Sequence, residues 1–93
     1  MNKTLLQELK DLTGSKEGQP SVDKTLKFLS FIRSPDLYPN PLPACKSRAW
    51  KQAADYYGEN WGTWGYDASI RWGVNKNLIS MDKNNIIRPV FTQ

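Results

Sequence analysis

Two pairs of residues have the types and the spacing of catalytic pairs. Ser21 and Lys24 form a Ser-x-x-Lys pattern, in which some serine enzymes set a nucleophile beside its base. Those enzymes need longer chains and further motifs, so we expect Ser21 to cap a helix instead. Asp55 and Glu59 are four residues apart, but like charges at this spacing are typical of a solvated helix face. Lys51, four residues before Asp55, completes an ordinary ion pair, and we assign neither pair to catalysis.

The histidine and cysteine content limits the remaining chemistry. The sequence has no histidine and one cysteine, which removes Ser–His and Cys–His pairs and the commonest metal ligand. Cys45 is followed by Lys46 and Arg48, which favour a thiolate, but no second group makes it catalytic. The segment from Asp82 begins like a calcium loop, yet Ile86 occupies a ligand position, so we predict a turn there. The sequence therefore predicts no enzyme activity, no catalytic residue, no metal and no cofactor.

The elements that must position the remaining polar and aromatic residues are short helices. The chain has 93 residues, which suit one small domain. Residues 1–34 are predicted to form a helical pair, residues 35–45 a proline-rich connector, and residues 46–93 aromatic-rich helices plus a hairpin. The fold class is therefore mostly α (α+β), with about four short helices and a C-terminal β-hairpin. No long apolar stretch and no secretory leader pattern is present, so we expect a cytoplasmic protein without membrane contact.

Caps and apolar spacing define the two N-terminal helices. The first, TLLQELKDLTG, begins with a capping box formed by Thr4 and Gln7. The second, SVDKTLKFLSFIRSP, is capped by Ser21 and stopped by Pro35, because the residue before a proline is pushed out of the helical region. Its apolar stripe is expected to contain Val22, Leu26 and Leu29, widened by Phe28 and Ile32.

The second half of the chain is predicted to add two helices and the hairpin. The third helix, KSRAWKQAADYYGENWG, is expected to begin at Ser47 as its cap, and Gly58 to end or weaken it. Asp67 is expected to cap a short fourth helix, ASIRWGVN. The tail, NLISMDKNNIIRPVF, has two apolar runs around a polar cluster and predicts a hairpin with Pro89 at an edge position.

Residues 56–67, YYGENWGTWGYD, contain five aromatic residues and three glycines. The glycine spacing does not fit a phosphate-binding loop. Two interpretations stay open. In the first, rings fill the core between the third and fourth helices, namely Trp50, Tyr57 and two of Trp61, Trp64 and Trp72. In the second, Trp64 and Tyr66 are exposed anchors of the kind that dominate binding hot spots.

An aromatic and basic surface on residues 58–76 is the main functional hypothesis. The net charge is +4, and residues 46–93 hold most of it, with seven basic against four acidic residues. Aromatic residues beside arginine and lysine are the usual composition of protein-docking patches. In size and lack of catalytic groups the chain resembles the small inhibitors and modulators that phages and mobile elements direct at host proteins. The residues predicted to bind a protein partner are Trp61, Trp64, Tyr66, Arg71, Trp72, Lys76, Arg48 and Lys51.

The alternative hypothesis is DNA binding by residues 46–91. This half resembles the winged-helix domain of phage excisionases and MerR-type regulators. AWKQAADYYG corresponds to their first helix, ASIRWGVNKNLI to the recognition helix, and SMDKNNIIRPVF to the wing. The resemblance implies that Ser69, Arg71 and Lys76 face the major groove, while Lys83 and Arg88 hold phosphates. Stacking of single-stranded bases on exposed aromatic rings is a lesser variant of this hypothesis.

Overall fold

Four helices and a C-terminal hairpin make up the described part of the chain. The structure is a computed structural model, and it describes residues 4–12, 21–38, 42–62 and 66–91. The helices and strands are α1 (Leu5–Leu12), α2 (Val22–Ile32), α3 (Lys46–Tyr56), α4 (Tyr66–Asn75), β1 (Ile79–Met81) and β2 (Ile87–Pro89). The mostly α class with an antiparallel C-terminal hairpin is therefore confirmed.

The N-terminal caps form as local sequence predicts. The Thr4 hydroxyl accepts the backbone N–H of Gln7 at 3.1 Å, while the Gln7 side chain donates to Asp11. The capping box is therefore made in its serine/threonine half, with the glutamine turned along the helix. Ser21 caps α2 by accepting the backbone N–H of Lys24 at 3.1 Å. The helix then ends at Ile32, shortly before the proline that was expected to stop it.

The buried face of α2 is rotated from the predicted stripe. Leu26 is 49% exposed, so its assignment to the core is wrong, and Val22 is only half-buried. The buried residues are Thr25, Phe28, Leu29, Phe31 and Ile32. The reason is that α2 packs against α1, α3 and α4, which cover the face that carries Thr25 and its neighbours one and two turns later.

The start of α3 is set by pairing with the hairpin. Lys46 N–H donates to the Asn85 carbonyl at 2.8 Å, and Ile87 N–H donates to the Ala44 carbonyl at 2.9 Å. The chain leaves this extended pairing directly into the helix, so Cys45 occupies the N-cap position. The prediction of Ser47 as the cap is therefore wrong, since Ser47 lies in the first turn.

Tyr38 fastens the proline-rich connector to the hairpin. Its side chain is fully buried, although the connector was predicted only as a stiff link. The hydroxyl donates to the Ile87 carbonyl at 2.6 Å and accepts the Ala44 N–H at 2.7 Å. Burial of the ring is the main cause of a pKa above the usual tyrosine value. Tyr38 thereby holds the segment that leads into α3.

The end of α3 and the start of α4 lie close to the predicted positions. Helix α3 ends at Tyr56, and Gly58 follows with φ +67°, a conformation that favours glycine. Helix α4 begins at Tyr66, so Asp67 lies in its first turn and not at its N-cap. In that position Asp67 accepts a hydrogen bond from the Lys46 ammonium at 3.2 Å, which ties the starts of α3 and α4 together.

The hairpin has the predicted polar turn. Strands β1 and β2 are antiparallel, with Ser80 opposite Arg88. The Asp82 carboxylate accepts the backbone N–H groups of Asn84 and Ile86 at 2.8 and 3.1 Å, which closes the turn. These hydrogen bonds lower the pKa of Asp82, the bond from Ile86 most strongly. The segment is therefore a turn, as predicted.

One core joins α2, α3, α4 and both strands. Gly73 lets α4 approach its neighbours, because a Cβ there would lie 2.7 Å from a Leu29 methyl and 3.1 Å from the Ile79 side chain. Beside it, the hydroxyls of Thr25 and Ser69 share a hydrogen bond of 2.6 Å between α2 and α4. Within the described residues, no helix has the length and apolar content needed to cross a membrane.

Candidate functional site

A cleft of about 750 Å³ lies beside α3, between that helix, residues 59–62 and the start of α4. Its volume falls in the range of ligand-binding clefts, about 300–1,000 Å³. The cleft combines aromatic rings, exposed charged side chains and the free thiol of Cys45. It overlaps the predicted docking surface but extends further back along α3.

Two tryptophans and a tyrosine form the floor of the cleft. Trp50 and Trp61 are each 3% exposed, with ring centroids 4.9 Å apart, and Tyr66 lies 6.0 Å from Trp50. The Trp50 indole N–H donates to the Gly62 carbonyl at 2.9 Å, and the Trp61 indole N–H donates to Glu59 at 2.7 Å. The two indoles therefore offer the cleft an apolar surface, since their N–H groups are already bound.

The loop after α3 is tied to α2 by charge and by ring contacts. Lys27 donates to Glu59 at 2.6 Å and lies 5.5 Å from the centre of the Tyr57 ring. Tyr57 in turn stacks on Trp61, with centroids 6.0 Å apart. The pKa of Glu59 lies below the usual glutamate value. The main cause is the Lys27 ammonium, followed by the hydrogen bond from the Trp61 N–H. These contacts fix one wall of the cleft.

The charged rim has one cation without an acidic neighbour. Lys51 lies 3.6 Å from Asp55, and both side chains are largely exposed. Glu59 is occupied by Lys27, as described above. Arg48 is exposed and forms no ion pair with any residue that the structure describes. At the end of the cleft beside the start of α3, the Arg48 charge is therefore not paired with an acid of the described chain.

The Cys45 thiol lies at that same end. Its Sγ is 3.6 Å from the Ser47 hydroxyl. The backbone N–H of Arg48, followed by the Ser47 hydroxyl, lowers the pKa of the thiol. This agrees with the expectation from the basic residues that follow Cys45, although the main cause is a backbone N–H and not a side-chain charge.

The predicted protein-binding residues divide between two regions. Arg48, Lys51 and Tyr66 line the cleft. Trp61 also lines it and is 3% exposed, which agrees with the interpretation of this ring as core, because it packs against Trp50 and Tyr57. Trp64 lies outside the described residues.

The other three predicted residues lie on α4, which packs against α1. The Trp72 indole N–H donates to Glu8 at 2.8 Å, and the Lys76 ammonium donates to the same carboxylate at 3.2 Å. Arg71 is exposed and forms no ion pair with a described residue. Trp72 and Lys76 therefore hold α1 in place, and the predicted surface is not continuous.

Sequence reasoning missed that Trp50 and Asn60 also line the cleft. Trp50 was expected only in the core, where it does lie, and its ring edge also reaches the cleft. Asn60 carried no signal, because it stands alone in a glycine-rich segment. The helical spacing of Arg48, Lys51 and Asp55 could have shown that they share one exposed face of α3.

The residues expected to contact DNA do not form one exposed, unpaired surface. Ser69 is 1% exposed and hydrogen-bonded to Thr25, so its assignment to a groove-facing position is wrong. Helix packing on α2 has turned this face of α4 inward. Lys76 is occupied by Glu8, and Arg88 by Asp82 at 2.9 Å. Lys83 is exposed in the hairpin turn.

The packing partners of α3 and α4 differ. Helix α3 packs on α2, while the main neighbours of α4 are α1, α2 and β1. Comparisons of the chain with known protein families, with curated proteins and with solved structures give no match.

Proposed function

We propose that this protein is a non-enzymatic docking protein that binds a larger protein through the cleft beside α3. The observation that carries the proposal is the combination, on one face, of an aromatic floor and an exposed charged rim, on which Arg48 has no ion pair with a described residue. Tryptophan, tyrosine and arginine dominate the residues that stabilise protein interfaces. In this cleft Trp50, Trp61 and Tyr66 form the floor and Arg48 and Lys51 stand on the rim.

The floor is preorganised, which favours binding. The two indole N–H groups are hydrogen-bonded, and ring contacts fix both side chains. A partner therefore meets a surface whose conformational entropy has already been lost on folding. The rim residues Arg48 and Lys51 are exposed and can be desolvated by the partner without disturbing the core.

The mode of action that fits this surface is occupancy. A small domain that covers a site on its partner acts as an inhibitor or modulator, in the manner of the accessory proteins of phages and mobile elements. Cys45 is a free thiol, which suits the reducing cytoplasm, and we place the protein there.

Site-specific photo-crosslinking in a lysate of the native host tests the proposal. A benzoyl-phenylalanine replaces Lys51 on the cleft rim in one variant and Lys83 in the hairpin turn in the other. Both lysines are exposed, so neither replacement disturbs the core. Each sample is treated with and without nuclease before irradiation.

We expect one protein to crosslink from position 51, to resist nuclease, and to crosslink weakly or not at all from position 83. Crosslinking from position 83 alone would contradict the cleft as the docking site. Material that disappears with nuclease would favour the DNA-binding alternative, in which the hairpin carries phosphate contacts.

A further inference from the structure

The charged side chains around the cleft differ in whether they already have an ion-pair partner. The two acids on the rim, Asp55 and Glu59, have cations within 3.6 and 2.6 Å. Lys46, beside the cleft, is matched by Asp67 at 3.2 Å. Arg48 is the rim cation without such a match among the described residues. Lys27 also pairs with Asp23 at 3.2 Å and is therefore shared between two acids, whereas the Arg48 guanidinium is left for a negatively charged group of a partner.

We propose that the cleft binds an acidic segment of the partner protein, with a carboxylate on the Arg48 guanidinium and a large apolar side chain against the aromatic floor. This inference rests on the proposed docking function and names the chemistry of its partner. A planar guanidinium presents paired N–H donors that match the two oxygens of a carboxylate. Of the two rim cations, Arg48 is therefore expected to bind a carboxylate more specifically than Lys51 does.

Lys51 also favours a partner segment with negative charge. Its contact with Asp55 joins two exposed side chains at 3.6 Å, and such pairs contribute little to stability. Lys51 can therefore leave Asp55 and approach a second acidic residue of the partner.

The floor favours a peptide over a nucleic acid. Base stacking needs an open ring face, whereas Trp50 and Trp61 are each 3% exposed and pack against other rings. An aliphatic or aromatic side chain can pack on the small exposed part of these rings and on the half-buried Tyr66 ring. Nucleic-acid binding also depends on many phosphate contacts, while this rim has one unmatched cation in the described chain.

Peptide selection on the full-length protein tests the inference. A phage-displayed library of random dodecapeptides is selected on the immobilised protein, after counter-selection on the Arg48→Glu variant. We expect the selected peptides to contain aspartate or glutamate within a few positions of a large apolar residue. Each peptide is then made with a fluorescent label, and its affinity is measured by anisotropy.

A charge exchange separates a direct contact from a structural effect. Arg48→Glu is expected to weaken the acidic peptide about tenfold, and replacing the peptide's acid by arginine is expected to recover most of that loss. Lys10→Glu makes the same charge change on α1, which does not line the cleft, and is expected to leave the affinity unchanged. Circular dichroism of each variant confirms that it is folded.

Three results of the peptide selection would overturn the inference. They are selected peptides without acidic residues, equal affinity for the Arg48→Glu variant, and a selection that yields no cleft-binding peptide. If neutral peptides bind and the partner still crosslinks from position 51, the docking function stands and only the acidic chemistry fails. If the partner crosslinks from elsewhere, the docking function fails as well. An oligonucleotide that binds in an Arg48-dependent manner would also refute it.

Discussion

Replacing Tyr38 by phenylalanine tests how the start of the cleft helix is held. The Tyr38 hydroxyl donates to the Ile87 carbonyl at 2.6 Å and accepts the Ala44 N–H at 2.7 Å. The Tyr38→Phe variant keeps the ring and removes both hydrogen bonds. The affected segment runs directly into α3, whose first turn carries Arg48. The substitution therefore weakens the support of the cleft without touching it.

The expected loss follows from the two buried groups that lose their partner. The Ala44 N–H and the Ile87 carbonyl belong to buried residues, and each unsatisfied group costs about 1–3 kcal/mol. The Ala44 carbonyl keeps the Ile87 N–H at 2.9 Å, so it adds nothing to the sum. We expect a decrease of about 3 kcal/mol in the free energy of unfolding. This is a large share of the roughly 5–15 kcal/mol of a typical domain.

Urea unfolding followed by tryptophan fluorescence measures this loss. The midpoint should fall while the slope stays constant, because the folded state buries the same surface. Tyr56→Phe is the matched control, since that side chain is 55% exposed, and its loss should stay within about 0.5 kcal/mol. Equal, small losses in both variants would show that the Tyr38 hydroxyl does not hold the connector to the hairpin.

Two further predictions concern packing and pH. Gly73→Ala should destabilise the fold by about 1–3 kcal/mol in the same unfolding assay, because the added Cβ would lie 2.7 Å from a leucine methyl of α2. A gain in stability would contradict this close approach. Lys27 lowers the pKa of Glu59 in the folded state below its value in the unfolded state. The contribution of Glu59 to the free energy of unfolding is therefore fully present above the unfolded pKa and is lost as pH falls through the folded pKa. Wild type should therefore lose more stability than Glu59→Gln between about pH 6 and about pH 3, and parallel losses would exclude the Lys27 contact as the cause.

Several features that depend on neighbours in the sequence were predicted correctly, although Asp67 lies in the first turn of α4 and not at its N-cap. Ser21 caps α2 with a residue three positions on, and Asp82 closes the hairpin turn within four positions. Gly58 ends α3 through its own positive φ. Each of these devices uses contacts within one turn of chain, so residue type and spacing are sufficient to find it.

Features that depend on distant parts of the chain were not predictable in the same way. Leu26 and Thr25 have adjacent positions on α2, and which of them is buried depends on where α3 and α4 pack. The burial of Tyr38 depends on an acceptor in the hairpin, the Ile87 carbonyl 49 positions away, as well as on the Ala44 N–H six positions away. The N-cap of α3 moves to Cys45 for the same reason, because pairing with Ile86 fixes the chain before the helix begins.

Trp61 shows how such a distant contact changes the chemistry of the site. Composition leaves open whether this tryptophan is core or surface, but Glu59 binds Lys27 on α2, 32 positions away, and accepts the Trp61 N–H. The ring also packs against Trp50 and Tyr57, so it is 3% exposed and offers a partner only a small apolar area. The charges on the rim therefore add to the discrimination between partners. Arg48, which has no acidic neighbour in the described chain, is therefore the residue whose reversal should change which partner is bound.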